Sequence, residues 1–572
     1  MSKSRITINS LSQVIIYLSY LILLFPNIVV NGLFKNQLIL GDPFYLARMK
    51  ETSFLSLDQE TPYVSYNSNF GGKVEILSLG ELVLGKLGLV FNLQIAELYI
   101  FSSLLIGLLI LFLAQKVLKE IGITGQNLLI FLILAIFIFW GPFFPYSLER
   151  PISPQIILLV WLWFILNCLR EINMTSYKTI VKLGFIAGIS AYLHYPYIFL
   201  QIQAGTIIFI IGMLLLKKPV RGFLLSTLFS WAVALPYLLW SRNAASSQDY
   251  QDLLLRGGII YNHIPTALSV VIFSIIALIL IFLVLKRSTK VSLQFSRRPL
   301  FFLFSQVVGC ILVSNSNLIT GVSVQFSDHF DVFIKSLLLI IGAIFFNVYL
   351  PQRQIHFISK KIKYIFPTLI LFSSILYAFS NERLGQELRT GIDTIVSYIP
   401  TNEAILIDDD DLATSASALL LNKTLTDYNI TSYNFPQMEI NQRYYVQSGC
   451  TIKNMPDIEY TKIYSFRMIS ERRKLLRISK TLPNLEIFSR FERGLDRRTD
   501  YLFAEEEMLL NEALDDFAEI DRSGCIDFLR ARGVRYIVST SPVNWLEYRI
   551  TNQITEIKVD QHLAIYKIII PN

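Results

Sequence analysis

Long apolar runs separated by short polar stretches fill the first two thirds of the chain. Runs of this length cross a hydrocarbon core about 30 Å thick as α-helices. Hydropathy predicts about eleven spans. The first lies near residues 11–34 and the second near 96–114. The others lie near 126–145, 154–169, 180–194, 197–216, 222–240, 265–285, 299–317, 331–350 and 364–380. In His194-Tyr195-Pro196-Tyr197 the proline either separates two spans or kinks one. Residues 35–95 form a polar, mixed stretch long enough to fold. From about Asn381 the pattern becomes that of a soluble domain. Ala404-Ile405-Leu406-Ile407 is a short apolar run, 526–532 reads as a helix ending at Gly533, and 534–538 and 563–570 read as strands. This alternation predicts a small α/β domain. The expected architecture is a polytopic α-helical membrane domain, 1–380, followed by an α/β domain, 381–572.

Composition agrees with that division. Of 572 residues, 53% are hydrophobic and 16% charged, which excludes an ordinary soluble protein. The first span is too long for a cleaved signal peptide, and no small-residue cleavage site follows it. The net charge of +8 does not point to nucleic acid, because most basic residues sit in short loops between apolar runs. Those loops set the orientation. About nineteen lysines and arginines fall in one alternating set of loops and about three, Arg150, Arg242 and Arg256, in the short loops of the other. The first set is expected to be cytoplasmic, the N-terminus with it. The 35–95 loop and everything after the last span are then extracytoplasmic. Of four cysteines, Cys168 and Cys310 lie in or beside apolar runs and Cys450 and Cys525 in the polar region; no C-x-x-C occurs.

The outer loops carry the chemical variety. They hold Asp42 in Gly41-Asp42-Pro43-Phe44-Tyr45, Arg150 beside Pro151, His194 and Tyr195, Arg242, His263, and Asp328-His329 with Asp331. Carboxylate, imidazole, guanidinium and tyrosine together suit general-base chemistry and phosphate recognition. Simpler roles fit the same residues. Asp42 suits a helix cap with Pro43 at the first helical position. Arg150, His194 and Tyr195 suit an interfacial belt. Lys335 is placed to snorkel to the surface. Asp408 to Asp411 lack the spaced ligands and central glycine of a calcium loop and read as a solvated turn. Asn422-Lys423-Thr424 and Asn429-Ile430-Thr431 are glycosylation triplets.

Asp42 just after the first span, the long first outer loop, about eleven spans and the outer C-terminal domain together resemble the GT-C superfamily of polytopic glycosyltransferases. That superfamily includes protein mannosyltransferases, aminoarabinose transferases and oligosaccharyltransferase catalytic subunits. The resemblance covers the whole architecture. It implies transfer of a sugar from a polyprenyl-phosphate carrier, at the extracytoplasmic face, to a glycan, lipid or protein acceptor. A bacterial plasma membrane and cell-envelope polysaccharide biosynthesis are the expected setting. The family's first-loop acid falls on Asp42. Many members carry two adjacent acids, and here Pro43 holds the second place, which leaves a single-carboxylate, inverting mechanism; Glu51 and Asp58 lie further along. In this reading Asp42 is the base and Arg150, with Arg242, binds the donor phosphate. Asp328, His329, His194, Tyr195 and His263 are acceptor or metal candidates. The reading assigns no cofactor, leaves a divalent metal open, and takes the polyprenyl-phosphate sugar as donor substrate. No Gly-rich nucleotide loop occurs, which fits a lipid-borne donor. The alternatives are a lipid-linked glycan polymerase or ligase, and a non-enzymatic transporter or scaffold of envelope assembly. A polymerase should be richer in outer arginines, and a transporter should bury charge at mid-membrane.

Overall fold

The computed structural model describes residues 78–93, 95–140, 151–173, 176–193, 197–244, 267–288, 297–320, 330–349, 382–420, 422–426, 437–453, 506–559 and 563–570, with Tyr17, Leu46 and Met49. The first part is helical throughout. In order come α1 (Leu79–Phe91), α2 (Ile95–Glu120), α3 (Gly125–Trp140), a π-helical turn (Pro151–Ile156), α4 (Ile157–Arg170), α5 (Tyr177–Ile189), α6 (Tyr197–Leu215), α7 (Arg221–Ala244), α8 (Leu268–Ser288), α9 (Arg297–Ser314) and α10 (Asp331–Tyr349). Among the described residues, α2, α6, α7, α8 and α10 are long and apolar enough to cross a membrane; α9 and the unit of π turn and α4 are shorter apolar helices. The molecule is a polytopic helical membrane protein. Two expected spans, 11–34 and 364–380, lie outside the described residues apart from Tyr17, whose hydroxyl donates to Gln115 of α2 at 2.8 Å. α5 ends at Ile189 and α6 begins at Tyr197; residues 194–196, with the proline, lie outside the described residues.

Helices in hydrocarbon gain nothing from hiding apolar surface from lipid, so close backbone approach holds them together. Gly184 and Gly188, one turn apart on α5, supply it against α7. A methyl group on Gly188 would lie 2.5 Å from Val233 Cβ and 2.8 Å from the Ser230 carbonyl. Gly309 of α9 is likewise pressed on α6, where a Cβ would come within 2.6 Å of the Gly205 nitrogen. Glutamines span the α6–α9 seam and the neighbouring α6–α7 seam. Gln201 Nε2 donates to the Gln306 carbonyl at 3.0 Å, and Gln203 Nε2 donates to Ser230 Oγ at 2.8 Å.

The second part is a three-layer α/β unit. It contains α11 (Glu382–Tyr398), β1 (Ala404–Ile407), α12 (Asp410–Leu419), β2 (Lys423–Thr424), α13 (Gln437–Gln447), α14 (Glu506–Ser523), α15 (Cys525–Ala531), β3 (Val534–Ser539), α16 (Leu546–Ile550), β4 (Ile554–Val559) and β5 (Ala564–Ile568). The sheet order is β2-β1-β3-β5-β4. β1 is parallel to β2 and β3; β5 is antiparallel to β3 and β4. Alternation along β1 divides the core, and an irregularity in the β1–β3 register at the start of β3 puts Val534 on the same face as Ile537. Leu406, Val534 and Ile537 face Tyr445, Phe517 and Leu529 of α13, α14 and α15. Ile405, Ile407 and Val538 face Ile395, Leu412 and Ala416 of α11 and α12. Gly533 follows α15 at φ +72°, where a side chain would be strained, and turns the chain into β3.

Two features of this unit were not expected. Cys450 and Cys525 form a disulfide joining the end of α13 to the start of α15. A charge network is sealed nearby. Arg443, fully buried, donates from Nε to Glu439 Oε1 at 2.7 Å and from Nη1 to the Leu425 carbonyl at 2.6 Å. Arg532 completes it with a 2.6 Å contact to Glu439 Oε2. The Asn422 triplet does not offer an exposed acceptor. Asn422 is buried and its amide donates to the carbonyls of Pro400 and Glu403, at 2.8 and 2.9 Å, so it is no acceptor for a glycan in the folded state. Asn429 lies outside the described residues.

Two outcomes follow from these contacts. Glu439→Gln leaves two guanidiniums without their carboxylate, one fully buried. The expected loss is about 3–5 kcal/mol, read as reduced hydrogen-exchange protection of the β3 amides in the intact protein. Asp516 on α14 gives a pH effect. Burial, opposed by the hydrogen bond from Asn441 and aided by Glu519, Glu512 and Asp515, raises its pKa to about 6. The folded value thus lies above the unfolded one, so its stabilising protonation is complete below about pH 4 and is lost as pH rises through about 6. Asp516→Asn should therefore melt higher than wild type at pH 7.5, and the gap should close by about pH 4.

Candidate functional site

One end of the helical bundle gathers the described residues that flank the sequence candidates. Met49 lies seven residues after Asp42 and is fully buried; it packs on Leu84 of α1, beside Ile95 and Tyr99 of α2. Leu46, three residues earlier, is also buried. Spacing of three puts Leu46 and Met49 on one helical face. The inward face of α1 then presents Glu81, Leu84, Gly85 and Gly88. Glu81, in the first helical turn, is 0% exposed. Ser78 just before it is also buried, and its hydroxyl does not cap the helix.

The π turn Pro151–Ile156 follows directly on Arg150 and packs on α1 and α2. Pro154 sits inside it and has no N–H to give, so the turn widens instead of closing as an α-helix. The widened turn carries Gln155 inward, where it is fully buried and donates to Ser103 Oγ of α2 at 3.1 Å. Ser102 and Ser103 are buried as well, making this a polar patch within an apolar wall.

A second group forms on α6 and α10. Tyr197, three residues after His194, meets Phe330, which directly follows His329, with centroids 5.6 Å apart. Phe333 packs on Tyr197 at 6.1 Å and on Trp161 of α4 at 5.5 Å. Asp331, in the first turn of α10, pairs with Lys335 at 3.2 Å, and both side chains are only 13% exposed. Ser269 of α8 donates to Asp331 Oδ1 at 2.8 Å, and the Lys335 ammonium lies 5.8 Å from the Phe273 ring centroid. Lys335 therefore reaches back towards the start of α10, to a carboxylate. A carboxylate one helical turn away and an aromatic face hold it inside the bundle, where both a carboxylate and a ring quadrupole favour the cation.

Asp42, Arg150, His194, Tyr195, His263, Asp328 and His329 lie outside the described residues, as do Glu51, Asp58 and Arg256. Arg242 is described: it is exposed in the last turn of α7. Glu81 escaped the sequence reading. Its signal was present, a single acid in the otherwise apolar run Leu79-Gly80-Glu81-Leu82-Val83-Leu84, the pattern in which an ionisable group is a functional candidate. Among the described residues no group of three or more His, Cys, Asp and Glu side chains is placed to hold a metal.

The acidic run of the α/β unit is not a solvated turn. β1 and β3 end side by side, at the position where parallel sheets commonly bind ligands. Here the acids are spent on the fold. Asp408 accepts from Ser539 Oγ and from the Thr540 amide at 2.8 Å. Asp409 caps α12 through the Leu412 amide, also at 2.8 Å. Asp410 accepts from Gln447 Nε2 at 2.9 Å. Burial raises the Asp408 pKa and the donors from Ser539, Thr540 and Ser541 partly offset it.

The sequence matches no family model and no curated protein. The structure is similar along most of its length to two solved structures. One is ArnT from Cupriavidus metallidurans bound to undecaprenyl phosphate, at 11% identity and a TM-score of 0.46, with 97% of each chain covered. The other is the archaeal oligosaccharyltransferase AglB from Archaeoglobus fulgidus in complex with an inhibitory peptide and a dolichol-phosphate. It has 11% identity and a TM-score of 0.43, with 94% of this chain and 70% of that chain covered. Likenesses this distant assign no role to any residue here.

The ion pair at the head of α10 has a measurable consequence. Asp331→Asn keeps an acceptor for Ser269 and removes the charge beside Lys335, so thermal stability in detergent should fall, by up to about 3 kcal/mol. Adding Lys335→Met should recover part of the loss. Additive losses in the double variant would show that the two charges are not coupled.

Proposed function

We propose that this chain is a membrane glycosyltransferase that uses a polyprenyl-phosphate-linked sugar as donor. The observation that carries the reading is the gathering, at one bundle end, of described neighbours of the Asp42, Arg150, His194 and His329 segments. A buried acid, Glu81, and a polar patch of Gln155, Ser102 and Ser103 occupy that same end. A transfer site at a membrane surface needs this combination: one wall open to lipid, for the carrier, and polar groups out of bulk water, where electrostatic contacts strengthen.

In the proposed reaction an acceptor hydroxyl attacks the anomeric carbon. The bond to the carrier phosphate breaks, the phosphate leaves with its electron pair, and the configuration inverts. Asp42 takes the hydroxyl proton. Arg150, with its planar fork of donors, balances charge on the leaving phosphate, and Arg242 adds a cation at the rim. Asp328 and His329 orient the acceptor. Glu81 serves as a second carboxylate behind the first, orienting the groups around Asp42 rather than taking the proton.

Orientation follows the loop charges: cytoplasmic N-terminus, extracytoplasmic α/β domain. The Cys450–Cys525 disulfide supports it, since such bonds persist in oxidising compartments. The polymerase reading gains no support from Arg242, which is exposed on the last turn of α7. The transporter reading expects charge at mid-membrane. Among the described residues the buried polar groups at the middle of α6, α7 and α9 are uncharged glutamines and hydroxyls.

The test is transfer of labelled sugar from a polyprenyl-phosphate donor in proteoliposomes. Asp42→Asn should lower turnover about 10²–10⁴-fold with donor binding unchanged. Arg150→Ala should weaken donor binding, and Arg150→Lys should restore it only in part. Wild-type turnover by Asp42→Asn would move the base to the Asp328-His329 segment. No consumption of any polyprenyl-linked sugar would favour the scaffold reading.

A further inference from the structure

We infer that the bundle end opposite Asp331 holds the phosphate of an anionic phospholipid, at a cationic rim where α5, α7 and α9 begin. Each of these helices carries a cation in its first turn and no acid there: Lys178 on α5, Arg221 on α7 and Arg298 on α9. A helix start is the positive end of its dipole, so a cation placed on it is repelled. Elsewhere at this end the dipole rule is kept. Lys119 on α2, Arg170 on α4, and Lys286 and Arg287 on α8 all sit in last turns, where the dipole favours them. Orientation by loop charge asks only that cations lie near this face. It does not ask that three of them crowd helix starts.

The three starts converge. Arg298 donates from Nη1 to Asn173 Oδ1 at 2.9 Å, just ahead of α5, and from Nη2 to the Pro219 carbonyl at 2.8 Å, just ahead of α7. Both acceptors are neutral, and Arg298 Nε is buried with no hydrogen-bond partner. The glycine seam holds α5 against α7. Gly184 meets Ser226 and Phe229, and less than two turns earlier on each helix come Lys178 and Arg221. Lys217 and Lys218 lie in the same α6–α7 link, and both are exposed, as are Lys178 and Arg221. Among the described residues none of these cations pairs with a carboxylate; nearby Glu120 is taken by Arg170. Guanidinium and ammonium groups gathered in this way suit phosphate oxygens.

The surface beneath the rim marks the anion as a lipid. Arg221 heads an exposed apolar stripe on α7, Leu224, Leu228, Trp231 and Leu235, at spacings of three and four. Lys218 ends a matching stripe on α6, Ile207, Ile211 and Leu214. A headgroup on the cations with acyl chains along the stripes uses both features, and basic pockets between membrane helices bind anionic headgroups in this way. A soluble anion would use the cations alone. The site depends on how the helix ends meet and not on the transferase reading, so either can fail alone.

The experiment is native mass spectrometry of the full-length protein in detergent with equal amounts of phosphatidylglycerol and phosphatidylcholine carrying the same acyl chains. Wild type should retain several-fold more phosphatidylglycerol. The preference should fall to near parity in the double variant Lys218→Gln with Arg221→Gln, whose exposed side chains take no part in packing, and in Arg298→Gln. It should persist in the control Lys286→Gln with Arg287→Gln. Should Arg298→Gln fail to fold, the exposed pair decides. Equal retention of the two lipids by wild type would overturn the inference. So would an equal fall in the exposed pair and the control pair, the mark of general surface charge. Displacement of the phosphatidylglycerol by millimolar inorganic phosphate would overturn it in favour of a soluble anion.

Discussion

No water reaches the hydrocarbon core, so every backbone donor and acceptor there must find its partner within the protein. That constraint explains why the first part of the chain is helical throughout its described residues. It also explains how the helices meet. With no hydrophobic gain from association, they rely on close approach at Gly188 and Gly309 and on side-chain amides bonded across the seams, as at Gln201 and Gln203. Polar groups that do not serve packing are driven to the bundle ends. One end therefore collects Glu81, Gln155, Ser103, Asp331 and Lys335, and the proposed chemistry rests on that collection.

The α/β unit answers to a different solvent. Its sheet has helices on both faces, and its charges are absorbed into structure. Glu439, Arg443 and Arg532 tie α13 to α15, the disulfide repeats the tie covalently, and Asp408 pins the ends of β1 and β3. The acids that read as a solvated turn in the sequence are ones the fold consumes.

Much of this was legible in the sequence, and the reasons are physical. Uniform apolar runs marked α6, α7, α8 and α10 to within a few residues, because hydrocarbon tolerates little else. α15, β3 and β5 appeared where alternation and Gly533 placed them. What escaped was long-range. Neither Cys450 nor Cys525 carries a local mark of its partner 75 residues away. Asp408 reads as a solvated turn until Ser539 and Thr540 arrive from a distant strand. Lys335 reads as a snorkelling lysine until Asp331 and Phe273 surround it. Glu81 is hard to read for a different reason: it is a lone acid in an apolar run at the end of an otherwise polar loop.

The central claim is that the segments bearing Asp42 and Asp328 face one another across a single site. Cysteine cross-linking in membranes tests it most directly. Asp42→Cys and Asp328→Cys would be introduced together, with the native thiols Cys168 and Cys310 buried and Cys450 and Cys525 paired. A membrane-impermeant bifunctional reagent spanning about 15 Å, half the hydrocarbon thickness, should join them, and the carrier lipid should slow the reaction. A control pair at Asp42 and Lys290 should stay unlinked. Failure to join Asp42 and Asp328, with each cysteine singly labelled in full, would contradict the account.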